Sequence, residues 1–198
     1  MVLDSDSVES TGLDDEDEVI ELALVHSSGV VLFSSLIQPE DPQRPDLATD
    51  IHGISSEMFT SAPRFPDVWP TIAAILRRFR RVLVYNAAFD HRLLAATAGR
   101  YGSRLPGGQW TCLMEQYAVY SGTWSNPHHS YTWQSLAVAC ADLHVAVLGK
   151  AHRATADALA ALGVLKTLAA IDGHIAPFPV PESAPAQDDT GACDDHPF

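Results

Sequence analysis

The segment Val82-Leu83-Val84-Tyr85-Asn86-Ala87-Ala88-Phe89-Asp90 decides the fold. Its first four residues are an uninterrupted apolar run, which reads as a fully buried strand. A helix is expected after it, from about Ala88 to Tyr101. On the other side, Trp69, Ile72, Ile75, Leu76 and Phe79 recur at helical spacing, so a helix is expected over Phe65 to Arg80, with its prolines at the start. Further upstream, Glu18 to Val25 mixes apolar and acidic residues as a half-buried strand would. Ser27-Ser28-Gly29 turns the chain into Val30 to Phe33 and on to Ile37. Val2-Leu3 reads as the apolar entry to a first strand, Gly12 as a turn, and Pro39 to Asp46 as a loop. Downstream come a short strand at Trp110 to Cys112, a helix from Leu113 to Tyr120 and an exposed loop from Ser121 to Ser130. Helices are expected again over Trp133 to Ala141 and Ala151 to Ala170. A β-meander followed by alternating helices and strands implies an α/β domain, a mixed sheet with helices packed on it.

The chain has 198 residues, 46% of them apolar, which suits one domain with a real core and a terminal extension. The domain is expected over residues 1–172. Residues 173–198 are rich in Pro, Asp, Ala and Ser without periodicity, and are expected to form a disordered acidic tail. No run of about 18 apolar residues suggests a membrane span, and the N-terminus lacks the pattern of a signal peptide. Cys112, Cys140 and Cys193 are too widely spaced for a zinc motif or a disulfide framework, so reduced thiols in a cytoplasmic protein are expected. The formal net charge of −13 is unusual for a protein that grips long stretches of phosphate backbone. It points to a short, end-on contact or to a basic partner.

Three stretches carry chemistry. Asp4 and Asp6 have the period-two spacing of residues on one face of a strand, with Glu9 shortly after. Acidic groups in a buried strand are costly unless paired or metal-bound. Asp90 falls just beyond the buried strand, at the end where open α/β sheets bind ligands, and Asn86 offers a helix cap there. His152 and Asp157 flank the entry of the last helix, which lets an imidazole reach over a site into which the carboxylate points. Carboxylates from several elements are the hard oxygen donors that divalent cations take. Two such cations stabilise both the attacking and the leaving oxygen of a phosphoryl transfer.

In order and spacing these stretches resemble the DEDDh 3′-to-5′ exonucleases, the superfamily of the proofreading subunit of bacterial DNA polymerase III. Glu9-Ser10-Thr11-Gly12 is similar to the end of the family's Asp-x-Glu-Thr-Thr-Gly motif, Asn86-Ala87-Ala88-Phe89-Asp90 to its Asn-x-x-Phe-Asp, and His152 with Asp157 to its His-x-x-x-x-Asp. His52-Gly53-Ile54 matches a further segment common between the first two motifs. The likeness covers roughly residues 1–170. It implies an RNase H-like mixed sheet with helices on both faces and release of nucleoside 5′-monophosphates from a DNA 3′ end, single-stranded or frayed. It also implies two Mg²⁺ or Mn²⁺ ions held by Asp4, Asp90, Asp157 and a second carboxylate of the first motif. That second carboxylate is Asp6 by strand period or Glu9 by motif; aligned on Glu9 without a gap, the family's first Asp falls at Ser7. His152 is the expected general base, since imidazole titrates near neutrality. Ser10, Thr11, His52, Asn86 and Phe89 are expected beside the substrate. Trimming of RNA or oligonucleotides is the alternative within the family. A catalytically impaired domain that binds a DNA polymerase or another replication or repair protein is the alternative outside catalysis.

Overall fold

A computed structural model describes residues 8–11, 17–41, 52–59, 61–149 and 152–172. The expected strand entry at Val2-Leu3, the Gly12 turn, most of the Pro39–Asp46 loop and the tail from Gly173 lie outside the described residues.

Strands β1 (Val8–Ser10), β2 (Val19–Val25) and β3 (Val31–Leu36) form an antiparallel ladder in that order, and β4 (Arg81–Val84) pairs in parallel with β5 (Gln109–Cys112). All seven residues of β2 are buried, where a half-buried strand was expected. The reason is that both faces of β2 are covered. Val19, Leu22 and Leu24 pack into one cluster with Val82 and Val84 of β4 and with helices α1 (Phe65–Arg77) and α2 (Ala87–Arg100). On the opposite face Ala23 and Val25 meet Ala154, Ala158 and Leu162 of the last helix, α5 (Ala154–Asp172). Helices α3 (Leu113–Ser121) and α4 (Leu136–Asp142) join α5 there around Tyr117, Ala139, Ala161 and Val164. The architecture is the expected mixed sheet with helices on both faces.

α5 has the length and hydropathy of a membrane span, but half of that span is buried and it packs on β2, α3 and α4 as a core helix does. Helix α4 starts three residues later than Trp133, because the Ser135 side chain accepts the Val138 N–H at 3.3 Å and caps it there. Trp133 is left exposed. The stretch expected as a plain loop holds a small hairpin, β6 (Trp124–Ser125) with β7 (Ser130–Tyr131), whose Trp124 and Tyr131 rings pack edge to face at 5.2 Å. Gly122, at φ 67, ends α3 in the left-handed conformation that glycine adopts without strain, and turns the chain into that hairpin.

Candidate metal centre

The alternation along β2 decides what faces α5. Leu22 and Leu24 point to α1 and α2, so Ala23, Val25 and Glu21 point the other way. Glu9 of β1 pairs directly opposite Glu21, which puts both carboxylates on the α5 side; the register shifts by a bulge between Glu9 and Ser10. α5 brings Asp157 in its first turn, 4% exposed, and His152 stands just before the helix with its side chain exposed. Ligand atoms of Glu9, His152 and Asp157 all lie within 4.8 Å of one another. His152 adopts φ 58, a left-handed conformation uncommon for a side-chain-bearing residue and more frequent in His than in most.

The backbone entering α5 is held by carboxylates. Asp157 Oδ2 accepts the Arg153 N–H at 3.0 Å, and the Asp157 N–H donates to the Arg153 carbonyl at 3.1 Å. Glu21, 5% exposed, accepts the Ala154 N–H at 3.0 Å. The same carboxylate takes the Arg153 guanidinium through Nε at 3.0 Å and Nη2 at 2.8 Å. This fork is the geometry in which arginine matches a carboxylate best. Hydrogen bonding to Glu21, with the charge of Glu9 adding to it, holds Arg153 more firmly protonated than usual.

Of the other expected residues, Asp90 lies buried in the first turn of α2, at 1% exposure, beyond the carboxyl end of β4. It is not one of the three groups within 4.8 Å. The Asn86 side chain accepts the Phe89 N–H at 3.4 Å and so caps α2, and the Phe89 ring packs against the core with Arg92 5.7 Å over it. Thr11 donates its hydroxyl to Asp17 at 2.7 Å and accepts the Glu18 N–H at 3.2 Å, which ties the end of β1 to the residues leading into β2; Ser10 is buried beside it. His52 is fully buried, and its Nδ1 accepts the Ile54 N–H at 2.9 Å. Asp4 and Asp6 lie outside the described residues.

Glu21, Glu18 and Arg153 were not singled out by motif. The signal that finds them is a carboxylate inside or next to a buried apolar strand, which must have a partner. Glu18, 6% exposed, has its own in Arg100 at 2.9 Å, the Tyr101 hydroxyl at 3.1 Å and the Glu40 N–H at 3.2 Å.

The model of the RNase_T exonuclease family matches residues 6–165. The chain belongs to this exonuclease family. The DEDDh exonuclease is also 38% identical over 167 residues to an uncharacterized exonuclease, CP81, of Escherichia phage 186, with 81% of this chain and 84% of that one covered. Among solved structures it resembles a full-length 3′-exonuclease, with TM-score 0.66 at 17% identity over 87% of this chain and 81% of that one. It also resembles the nuclease domain of 3′hExo, a DEDDh family member, bound to rAMP, with TM-score 0.65 at 16% identity over 87% and 91% of the two chains. A third is described by its 3′-end specific recognition of a histone mRNA stem-loop, with TM-score 0.66 at 16% identity over 87% and 81%. At such identities these structures establish the shared fold.

The family's members use divalent cations. The donor set of the exonuclease fits such an ion. Two carboxylates within 4.8 Å repel each other unless a proton or a cation lies with them, and carboxylate oxygens are the donors that Mg²⁺ and Mn²⁺ accept.

Proposed function

We propose that the exonuclease hydrolyses the terminal phosphodiester of single-stranded or frayed DNA 3′ ends, releasing nucleoside 5′-monophosphates, with Glu9, Asp90 and Asp157 holding two divalent cations. The observation that carries this reading is the convergence of Glu9, His152 and Asp157 within 4.8 Å from two distant parts of the chain, β1 and the entry of α5. When bound, the two cations would stabilise charge on the attacking and leaving oxygens. Glu9 comes from the sheet and Asp157 from the helix, so an ion held by both would be tied to two rigid elements. Asp90, beyond β4, supplies a carboxylate from a third element. Asp4 and Asp6 precede Glu9 in sequence and are proposed as further oxygen donors.

His152 is the proposed general base. Its side chain is exposed while its neighbour Asp157 is buried, so the imidazole meets water where the carboxylate does not. An imidazole nitrogen takes the proton of the attacking water as the water's bond to phosphorus forms and the bond from phosphorus to the 3′ oxygen of the preceding nucleotide breaks. The leaving 3′ oxygen is protonated from solvent, and the imidazolium returns its proton there. Ser10, Thr11, His52, Asn86 and Phe89 are proposed to shape the cleft rather than to touch the reacting atoms, since Thr11, His52 and Asn86 already hold backbone with their polar groups.

RNA 3′ ends are the second reading, favoured by the structural likeness to proteins described with rAMP and with a histone mRNA stem-loop. The test is Mn²⁺-dependent digestion of 3′-labelled and 5′-labelled single-stranded DNA and RNA, with Asp157→Ala as control. Stepwise shortening from the 3′ end, lost in the control, supports the assignment and identifies the preferred sugar. Failure to shorten either substrate overturns it.

A further inference from the structure

Glu21 is the one described side chain that bonds to the entry of α5 from β2 while standing directly across from Glu9. We propose that Glu21 and Arg153 act as a single positioning unit that ties α5 to β2 and so sets the distance from Glu9 to His152 and Asp157. The inference rests on the site reading given above.

The need for such a tie follows from the residue that precedes α5. The first N–H groups of a helix have no partner within it, and a Ser, Thr, Asp or Asn before the first turn normally accepts one. Here that residue is Arg153, whose side chain only donates. The acceptors therefore come from elsewhere. Asp157 Oδ2 takes the Arg153 N–H, and Glu21, from another element, takes the Ala154 N–H. Ala154 is fully buried, so water is a poor substitute for Glu21 at that amide.

Arg153 closes the unit in two ways. Its guanidinium neutralises Glu21, which would otherwise stand as a buried carboxylate opposite a second one, Glu9. Its backbone is the segment between His152 and the helix, so the fork to Glu21 also fixes the turn on which His152 sits at φ 58. If the fork is lost, Asp157 and His152 stay attached to α5, but the position of α5 relative to Glu9 is no longer set at this point. Outer partners that orient metal ligands typically contribute about 10–100-fold in affinity or rate.

The test compares wild type with Glu21→Ala, Arg153→Ala, the double variant and the milder Glu21→Gln and Arg153→Lys. In the metal-free protein, hydrogen exchange at the Ala154 amide is expected to quicken about tenfold or more in Glu21→Ala, with amides of β4 unchanged. With Mn²⁺ and a labelled oligonucleotide, each alanine variant should lose about 10–100-fold in kcat with KM within about threefold. The double variant should be no worse than the poorer single, because the two side chains act as one. Arg153→Lys, which keeps the charge without the fork, should restore only part of the rate. If Glu21→Ala does not fold, Glu21→Gln takes its place in each comparison. Wild-type exchange at Ala154 together with wild-type kcat in these variants overturns the proposal, as do additive losses in the double variant. Should the wild type digest no substrate, the proposed function fails, while exchange at Ala154 still decides whether Glu21 holds the helix.

Discussion

Gly163 lies in the middle of α5, where a glycine should weaken the helix, and replacing it with alanine tests why it is there. On an open helix face Gly→Ala gains about 0.5–1 kcal/mol, because glycine loses more backbone freedom on folding. Here a Cβ would meet Val145 Cγ1 well inside the 3.0 Å that real Cβ contacts respect, with the Val145 Cβ and Cγ2 both at 3.6 Å. Val145 follows α4 and packs against the cluster that joins α3, α4 and α5. It is β-branched and has few rotamers to retreat into. Forcing an extra methyl into such a contact costs typically about 1–3 kcal/mol. The clash therefore outweighs the helix gain, and Gly163→Ala should destabilise the protein by about 1 kcal/mol, which for this size is roughly 2–4 °C in Tm. In a Val145→Ala background the obstacle is gone, and the same change should stabilise by about 0.5–1 kcal/mol. Thermal and denaturant unfolding of the four proteins measures both numbers. A rise in Tm for Gly163→Ala in the wild-type background refutes the reasoning. So does an equal loss in both backgrounds, which would mean that Val145 is not what the glycine accommodates.

Glu9→Gln removes one of two carboxylates held within 4.8 Å, so it should raise the metal-free Tm while abolishing stabilisation by Mn²⁺. That stabilisation is about 2.7 kcal/mol for a single site at a hundredfold excess over Kd, and an undiminished Mn²⁺ shift in the variant would remove Glu9 from the site. The Tyr101 hydroxyl is pushed up to about 12 by burial first, and then by the charge of Glu18 and the hydrogen bond to it. Its proton is bound more tightly in the folded state than in the unfolded one, so the associated stability is complete below about pH 10 and is lost as pH rises toward 12. Tyr101→Phe should lack this alkaline loss in denaturation midpoints measured across that window; an identical pH profile would contradict the assignment. Burial pushes the Cys112 thiol up, and the thiol also donates to the Tyr85 carbonyl at 3.2 Å. At pH 8 iodoacetamide should modify Cys112 about tenfold more slowly in the native protein than in urea, as peptide mapping would report, and equal rates would show that the thiol is accessible.

How much of this was legible beforehand depends on the range over which each feature is determined. The buried strand before Asn86, the cap on α2 and the offset of His152 from Asp157 all follow from residues within a few positions of one another. The boundaries that moved did so for local reasons as well: Ser135 starts α4 where its hydroxyl finds Val138, and Gly122 turns the chain toward the Trp124–Tyr131 ring pair. In those regions pattern and turn chemistry suffice.

The first motif is a different kind of problem. Strand period and motif spacing favoured different acidic residues, Asp6 and Glu9, and nothing local chooses between them. A one-residue slip of a strand carries every side chain to the other face, so the side on which a residue stands is set by the pairing with β2. Asp6 lies outside the described residues, and for Glu9 the pairing is seen. That pairing sets Glu9 opposite Glu21 and on the side where α5 packs. Glu21 and Arg153 are 132 positions apart, and no periodicity relates them. The sequence alone therefore determined the order of the main strands and helices, the small Trp124–Tyr131 hairpin apart, the family likeness and the local pieces of the site. Only the tertiary structure decided that β2 is covered on both faces, that Glu9 meets Asp157, and that Glu21 holds the entry of α5. These depend on register and on burial from two sides, quantities that exist only once distant segments have packed.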